Sequence, residues 1–314
     1  MTANKTQLSL FKSMLTAMRI NQWTKNAVVL AAAFFAYWDR NVHPHPSIKQ
    51  LMLALPAAFL FCLTSSGVYV FNDIIDMKAD RLHPAKKSRP VASGELSVFH
   101  AGIESVILLI IAIYGGFILS SWFGLILCTY TGLQIVYTLY LKRIPFVDVL
   151  VISAGFVLRA IAGAVVVHVE ISPWLILCTF LLSLFLALCK RRHEKVEIFS
   201  NQNELTRSVL ISYSTQVLDI LIGISGGCTI LAYSIYTLWP DTVKKFGTQR
   251  LTFTIPFVIF GIFRYIDLVY RHRQGDKPEK ILLTDVPLII NVLLYMITVL
   301  LVLFYSGYKP GQGI

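Results

Sequence analysis

Long apolar stretches alternate with short polar ones along the whole chain, at about 25–38, 51–72, 98–119, 122–140, 147–167, 171–189, 216–238, 252–270 and 283–305. A helix needs about 20 residues to cross a bilayer core, and all but the first stretch come close to or exceed that. The first is shorter and is expected to lie partly in the interface. Lipid cannot hydrogen-bond a bare backbone, so such stretches must be helices or closed barrel strands. The period-2 alternation of barrel strands is missing, which leaves helices. The pattern therefore predicts an all-α polytopic membrane protein, with about nine transmembrane helices in a single bundle over 25–305. Residues 1–24 form an N-terminal segment and 306–314 a tail.

Composition agrees. Of 314 residues, 56% are hydrophobic and 14% charged, too apolar for a soluble domain. The net charge of +11 would favour a nucleic-acid partner in a soluble protein, but here basic loops set topology instead. With nine spans and the N-terminus inside, 20 of the 28 Lys and Arg residues fall on the inner side and 6 on the outer, while Arg159 and Arg264 lie within spans. That bias predicts a cytoplasmic N-terminus, an extracytoplasmic tail and residence in the inner (cytoplasmic) membrane. The longest inner loops, 73–97 and 190–215, are where function is expected. Cys62, Cys128, Cys178, Cys189 and Cys228 lie in or beside apolar stretches, are odd in number and form no CxxC, so they read as reduced packing residues. The first 20 residues lack the continuous apolar core of a signal peptide.

The sharpest chemical feature closes the second span. Asn72 and Asp73 are followed by Asp76 and Asp80, then by His83, Lys86, Lys87, Arg89 and Pro90. If the helix persists, Asp73, Asp76 and Asp80 share one face. Three carboxylates on one face repel unless a cation lies between them. Mg²⁺ prefers oxygen ligands and uses one or two carboxylates plus substrate phosphates, so the spacing suits a magnesium-bridged diphosphate. The competing reading is a solvated helix end.

The run NDIIDMKADRLHP followed by KSRPVASGELS resembles the first aspartate-rich motif of the UbiA superfamily of intramembrane prenyltransferases, with Asn72, Asp73, Asp76 and Asp80 matching NDxxDxxxD. INQWTKN at 20–26 is similar to the family's opening segment, and YTLYLKR at 137–143 to the segment closing its fourth span. The resemblance implies nine helices, Mg²⁺ as cofactor at Asp73, Asp76 and Asp80, and Asn72, Lys86 and Arg89 beside it. Most members join a prenyl diphosphate to an aromatic ring and carry a second aspartate-rich motif after the sixth span. This chain departs there, reading CKRRHEKVE at 189–197. That run, with FVDVLVISAGFVLRAIAGA at 146–164, resembles the decaprenyl-phosphate phosphoribosyltransferase branch. The resemblance implies phosphoribosyl diphosphate as donor and a polyprenyl phosphate as acceptor. A basic cluster suits the extra 5-phosphate, because Lys and Arg bind phosphate directly.

Asp148 and Arg159 are eleven residues apart, so they share a face of one span about 16 Å apart, roughly with Gly155 and Gly163. Charges within a span are costly and face an interior or wet cavity. For Arg159 the alternative is a structural partner acid on another helix, and for the glycines close helix packing. After the sixth span, Lys190, Glu194 and Glu197 are expected on one helix face, with Arg191 turned away. Lys190 and Arg191 are candidate phosphate contacts, while Arg192 and Lys195 are assigned to topology alone. Tyr137, Lys142 and Tyr213 are candidates for the cavity rim. Arg264 and Asp267 are expected to pair with each other.

These readings converge on magnesium-dependent transfer of 5-phosphoribosyl to a polyprenyl phosphate at a site facing the cytoplasm, in an envelope or arabinan precursor pathway by resemblance. The oligomeric state is open. One alternative is aromatic prenyl transfer, against which the missing second acidic motif counts. Another is a lipid or ion transporter, against which the acids count, since most lie at span ends or in loops rather than along several spans.

Overall fold

A computed structural model describes residues 2–40, 47–84, 86–170, 172–201, 213–271, 281 and 284–307. Helices α1 (Thr2–Ala17), α2 (Val28–Tyr37), α3 (Ile48–Met52), α4 (Ala54–Leu82) and α5 (Pro90–Ser93) build the first part. They are followed by α6 (Val98–Leu119), α7 (Ser121–Leu139), α8 (Val147–Val167) and α9 (Pro173–Asn201). The last are α10 (Thr215–Leu238), α11 (Pro240–Phe246), α12 (Ile255–Arg271) and α13 (Val286–Gly307). No strand occurs among the described residues.

Eight helical stretches are long and apolar enough to cross a bilayer, from Ile48–Leu82 through Val286–Ser306, and the protein is a multi-pass integral membrane protein. The first expected span differs from the other eight. It is a 3-10 helix, Ile20–Ala27, running without a break into the ten-residue α2. At about 2.0 Å per 3-10 residue and 1.5 Å per α residue, the two extend about 31 Å. The tighter helix recovers the length that the short apolar run lacks, but its polar residues keep it outside the composition of an ordinary span.

Large apolar side chains point outward along the bundle, as in Ile110, Ile111 and Ile118 of α6 and Leu293, Leu301 and Phe304 of α13. In a bilayer this is the lipid-facing surface. Inside, one apolar core joins α8, α9, α10 and α12 around Phe185, Leu218, Ile222 and Leu268. A second joins α2, α4, α7 and α8 around Val29, Phe61, Phe123 and Leu127. Without a hydrophobic force between helices in lipid, close approach matters most. A Cβ on Gly163 of α8 would lie 2.0 Å from the Val29 carbonyl oxygen of α2. The glycine that was expected to share a cavity face with Arg159 is thus a contact point between helices. The Ser105 hydroxyl of α6 donates to the Gly67 carbonyl of α4 at 2.8 Å.

Two helices exceed what a membrane requires. α4 and α9 have 29 residues each, about 44 Å of helix, against a core of about 30 Å. The aspartate motif is helical to Leu82, and the basic run Lys190–Lys195, expected in a long loop, extends α9 instead. The rest of that loop, 202–212, lies outside the described residues. Both charged helix ends therefore stand on one side of the bundle, each on a rigid rod.

Candidate active site

Asp73 and Asp80 lie two turns apart on α4 and are buried, at 2% and 5% exposed. Burial of bare carboxylates is costly, so each is matched by a cation. Asp73 Oδ1 accepts hydrogen bonds from Arg19 and, at 3.0 Å, from Arg89 Nη1. The same Arg89 nitrogen reaches Asp80 Oδ2 at 2.6 Å. A single guanidinium nitrogen thus stands between the two carboxylates. Asp76 turns toward α7 and pairs with Lys142 Nζ at 2.5 Å, while the neighbouring Asn72 accepts from the Thr138 hydroxyl at 3.3 Å.

Among the described residues no three His, Cys, Asp or Glu side chains gather as a metal-binding group. Asp73, Asp76 and Asp80 share the expected face, yet only Asp73 and Asp80 converge. Two carboxylates fit Mg²⁺, which takes one or two and completes its octahedron with waters and substrate phosphates. Arg89 Nη1 already bridges these two as a positive charge.

A second group assembles beside the first. Asp148, fully buried at the start of α8, accepts from Arg191 Nε at 2.6 Å and from the Tyr213 hydroxyl at 2.5 Å. Tyr213 also accepts the Phe146 backbone N–H at 2.7 Å. Burial, with the bond to Asp148 next, pushes the Tyr213 phenol well above its ordinary range. Arg191 continues to Glu194 at 2.5 Å and to the Tyr137 hydroxyl at 3.4 Å. So Tyr137, Asp148, Arg191, Glu194 and Tyr213, singled out separately from the sequence, form one network. Arg191 and Glu194 share a helix face, contrary to expectation, because positions three apart on a helix are neighbours. All three guanidinium nitrogens of Arg191 are engaged. Burial, and then the charge of Lys86, lowers the pKa of His83 just beyond α4. The end of α7 touches both groups, through Thr138 to Asn72 of α4 and through Tyr137 to Arg191 of α9. Lys190, half-buried, directly precedes Arg191.

Two assignments to topology alone are corrected. Arg192 pairs with Asp219 at 2.6 Å and lies 3.6 Å above the Tyr270 ring, while Lys195 is buried. Both belong to the packing of α9 against its neighbours. Arg264 pairs with Asp267 as expected, and with Asp285 at 2.8 Å as well.

Arg159 is buried among neutral partners. It donates to Asn26 at 2.7 Å, to the Gly155 carbonyl at 2.8 Å, to Tyr130 at 2.9 Å and to Ser65 at 3.4 Å. The rings of Phe61, Tyr130 and Phe156 surround it. Among the described residues it has no partner acid, so the cross-helix ion pair is not what holds it. Arg159 ties the 3-10 segment to α4, α7 and α8 below the aspartates.

Sequence reasoning missed Arg19, counted only as a loop charge, and Asn26, whose polar side chain inside the opening segment was a usable signal. It also missed Glu104 of α6, which is 4% exposed with neither oxygen hydrogen-bonded among the described residues. A lone acid inside an apolar span was the signal there.

Residues 27–286 match the model of the UbiA prenyltransferase family. A decaprenyl-phosphate phosphoribosyltransferase from Mycobacterium tuberculosis is 30% identical over 291 residues, 93% of this chain and 94% of that protein. One from Corynebacterium glutamicum is 29% identical over 303 residues, 94% of this chain and 88% of that protein. The fold resembles that of a UbiA homologue from Archaeoglobus fulgidus bound to GPP and Mg²⁺, with a TM-score of 0.68 and 17% identity across 93% of this chain and 99% of that one.

Proposed function

The chain belongs to the UbiA prenyltransferase family and is a membrane-embedded transferase, and from that premise we propose that it moves 5-phosphoribosyl from phosphoribosyl diphosphate to a polyprenyl phosphate. The observation that carries this reading is the opposition of an acidic helix end and a basic one. Asp73 and Asp80 meet on α4, while α9 brings Lys190 and Arg191 to the same end of α7. A donor with a diphosphate at C1 and a separate phosphate at C5 has two anionic ends to place, and the site offers two places. Similarity to the phosphoribosyltransferases over nearly the whole chain supports the same choice.

In this reading Asp73 and Asp80 hold Mg²⁺, with Asp76 and Asn72 supporting from the same helix. Bound there, the metal would supply charge neutralisation to the diphosphate as a leaving group. Arg89 and Lys86 lie on the tail just beyond, placed to meet diphosphate oxygens, and Lys142 does so from the α7 side. Lys190 meets the 5-phosphate. Arg191, held by Asp148, Glu194 and Tyr137, and with Tyr213 locking Asp148, fixes the angle of α9. Arg159 positions the opening segment beneath. The C1–O bond to diphosphate breaks through an oxocarbenium-like state, and an acceptor phosphate oxygen bonds to C1. That oxygen is already anionic, so no general base is needed. The catalytic contribution is placement and charge.

The N-terminus and this site are assigned to the cytoplasmic side of the inner membrane, where the charge bias puts them. Purified protein given labelled phosphoribosyl diphosphate, Mg²⁺ and polyprenyl phosphate should move label into lipid. Absence of that transfer, together with prenylation of an aromatic acid from a polyprenyl diphosphate, would sink the assignment.

A further inference from the structure

Arg19 lies outside the bundle proper, yet its side chain ends on the aspartate motif. It bonds Asp73 Oδ1 across 54 residues and stacks over the Tyr69 ring at 5.1 Å. Its backbone is unusual for an arginine, with φ 53° and ψ 50° in the left-handed region. A non-glycine residue there costs roughly 1–2 kcal/mol and persists only where its surroundings over-determine it. They do so here. The buried Ser66 hydroxyl donates to the Met18 carbonyl at 2.9 Å and accepts the Trp23 indole N–H at 3.0 Å. The Gln22 N–H closes the turn on the Arg19 carbonyl at 2.8 Å. Leu10, Met14 and Ala17 of α1 pack with Val70, Val91 and Leu96. The N-terminal segment is thus built to deliver one guanidinium to Asp73.

That guanidinium and Arg89 share Asp73 Oδ1. Two positive groups on one carboxylate oxygen oppose each other, and burial pulls Arg19 below its ordinary pKa while Asp73 pulls it upward. A metal ion at Asp73 would evict both arginines from that oxygen. A guanidinium expelled from a carboxylate within a buried site needs another anion, and a diphosphate bound to the metal supplies it.

We propose that Arg19 is a substrate-binding residue contributed by the N-terminal segment, acting by counter-ion exchange. Without a metal ion it neutralises Asp73. When Mg²⁺ takes Asp73, Arg19 passes to a diphosphate oxygen. Metal and diphosphate then bind with positive coupling, since each provides the partner that the other displaces. The inference rests on the reading that Asp73 and Asp80 hold a metal-bound diphosphate, and is indifferent to what that diphosphate is attached to.

The test is binding of Mg²⁺ and inorganic diphosphate to the full-length protein in detergent, by calorimetry, with wild type, Arg19→Asn and Arg19→Lys. Asparagine tolerates the left-handed turn, so the turn survives while the cation is lost. In wild type each ligand should tighten the other at least fivefold. Arg19→Asn should bind Mg²⁺ alone more tightly than wild type. It should bind diphosphate in saturating Mg²⁺ about ten- to a hundredfold more weakly, the worth of a charged hydrogen bond. Arg19→Lys should fall between. If Arg19→Asn weakens both ligands, or changes neither, the exchange is wrong. Failure of wild type to bind diphosphate with Mg²⁺ at all would instead overturn the metal-diphosphate reading beneath it.

Discussion

Asp148 is fully buried against Arg191, whose side chain is 3% exposed. Removing one partner of a buried pair leaves an uncompensated charge, which costs about 3–5 kcal/mol. Asp148→Asn should therefore lower the thermal unfolding midpoint sharply, whereas Tyr213→Phe, which removes one hydroxyl, should cost about 1–3 kcal/mol. Denaturation of purified protein in detergent checks both; equal effects would mean that the ion pair adds nothing. At this scale the sequence showed chemistry better than partnership. Asp73 and Asp80 were legible because their spacing on one helix is local. Tyr137, Asp148, Glu194 and Tyr213 were each suspected, but their meeting depends on how α7, α8 and α9 pack. Arg19 was illegible because nothing in a lone arginine announces a left-handed backbone.

At the level of helices, length and closeness decide. The overlong α4 and α9 carry their charged ends past the apolar layer as rigid rods, which holds a site more accurately than loops would. The sequence marked where the apolar runs end, and the charge spacing beyond them suited a helix without showing how far it runs. Apolar periodicity stops at the membrane edge, while backbone hydrogen bonding does not. The pairing of α2 with α8 at Gly163 was weighed as close packing, and the structure makes it so. Gly163→Ala should force the two helices apart and lower stability by about 1–3 kcal/mol. It should also reduce transfer, because Asn26 and Arg159 link those same helices to α4. A variant as stable and active as wild type would show that α2 yields freely. The opening 3-10 turn was not foreseen, because the continuous apolar run starts only near residue 25.

For the molecule as a whole, the fold class was readable because bilayer thickness imposes block lengths on any sequence. Sidedness was readable only as a bias in charge. Lys87 is exposed beyond α4. Lys87→Cys, in a background lacking the five native cysteines, should react with a membrane-impermeant thiol reagent in inverted vesicles and not in right-side-out ones. The reverse pattern would turn the assigned topology over.

The ion pairs also carry a schedule. Asp73 meets Arg19 and Arg89, and Asp80 meets Arg89, within the first ninety residues made. Asp76 waits 66 residues for Lys142, and Asp148 waits 43 for Arg191. During synthesis the α4 hairpin can thus settle into lipid with two of its three acids already matched, whereas α8 must be threaded while its acid stands alone. Between the emergence of Asp148 and the arrival of α9, the nascent chain holds a carboxylate that the finished fold buries completely. Substitutions that delay α9 should be seen first as lost protein, before any loss of turnover.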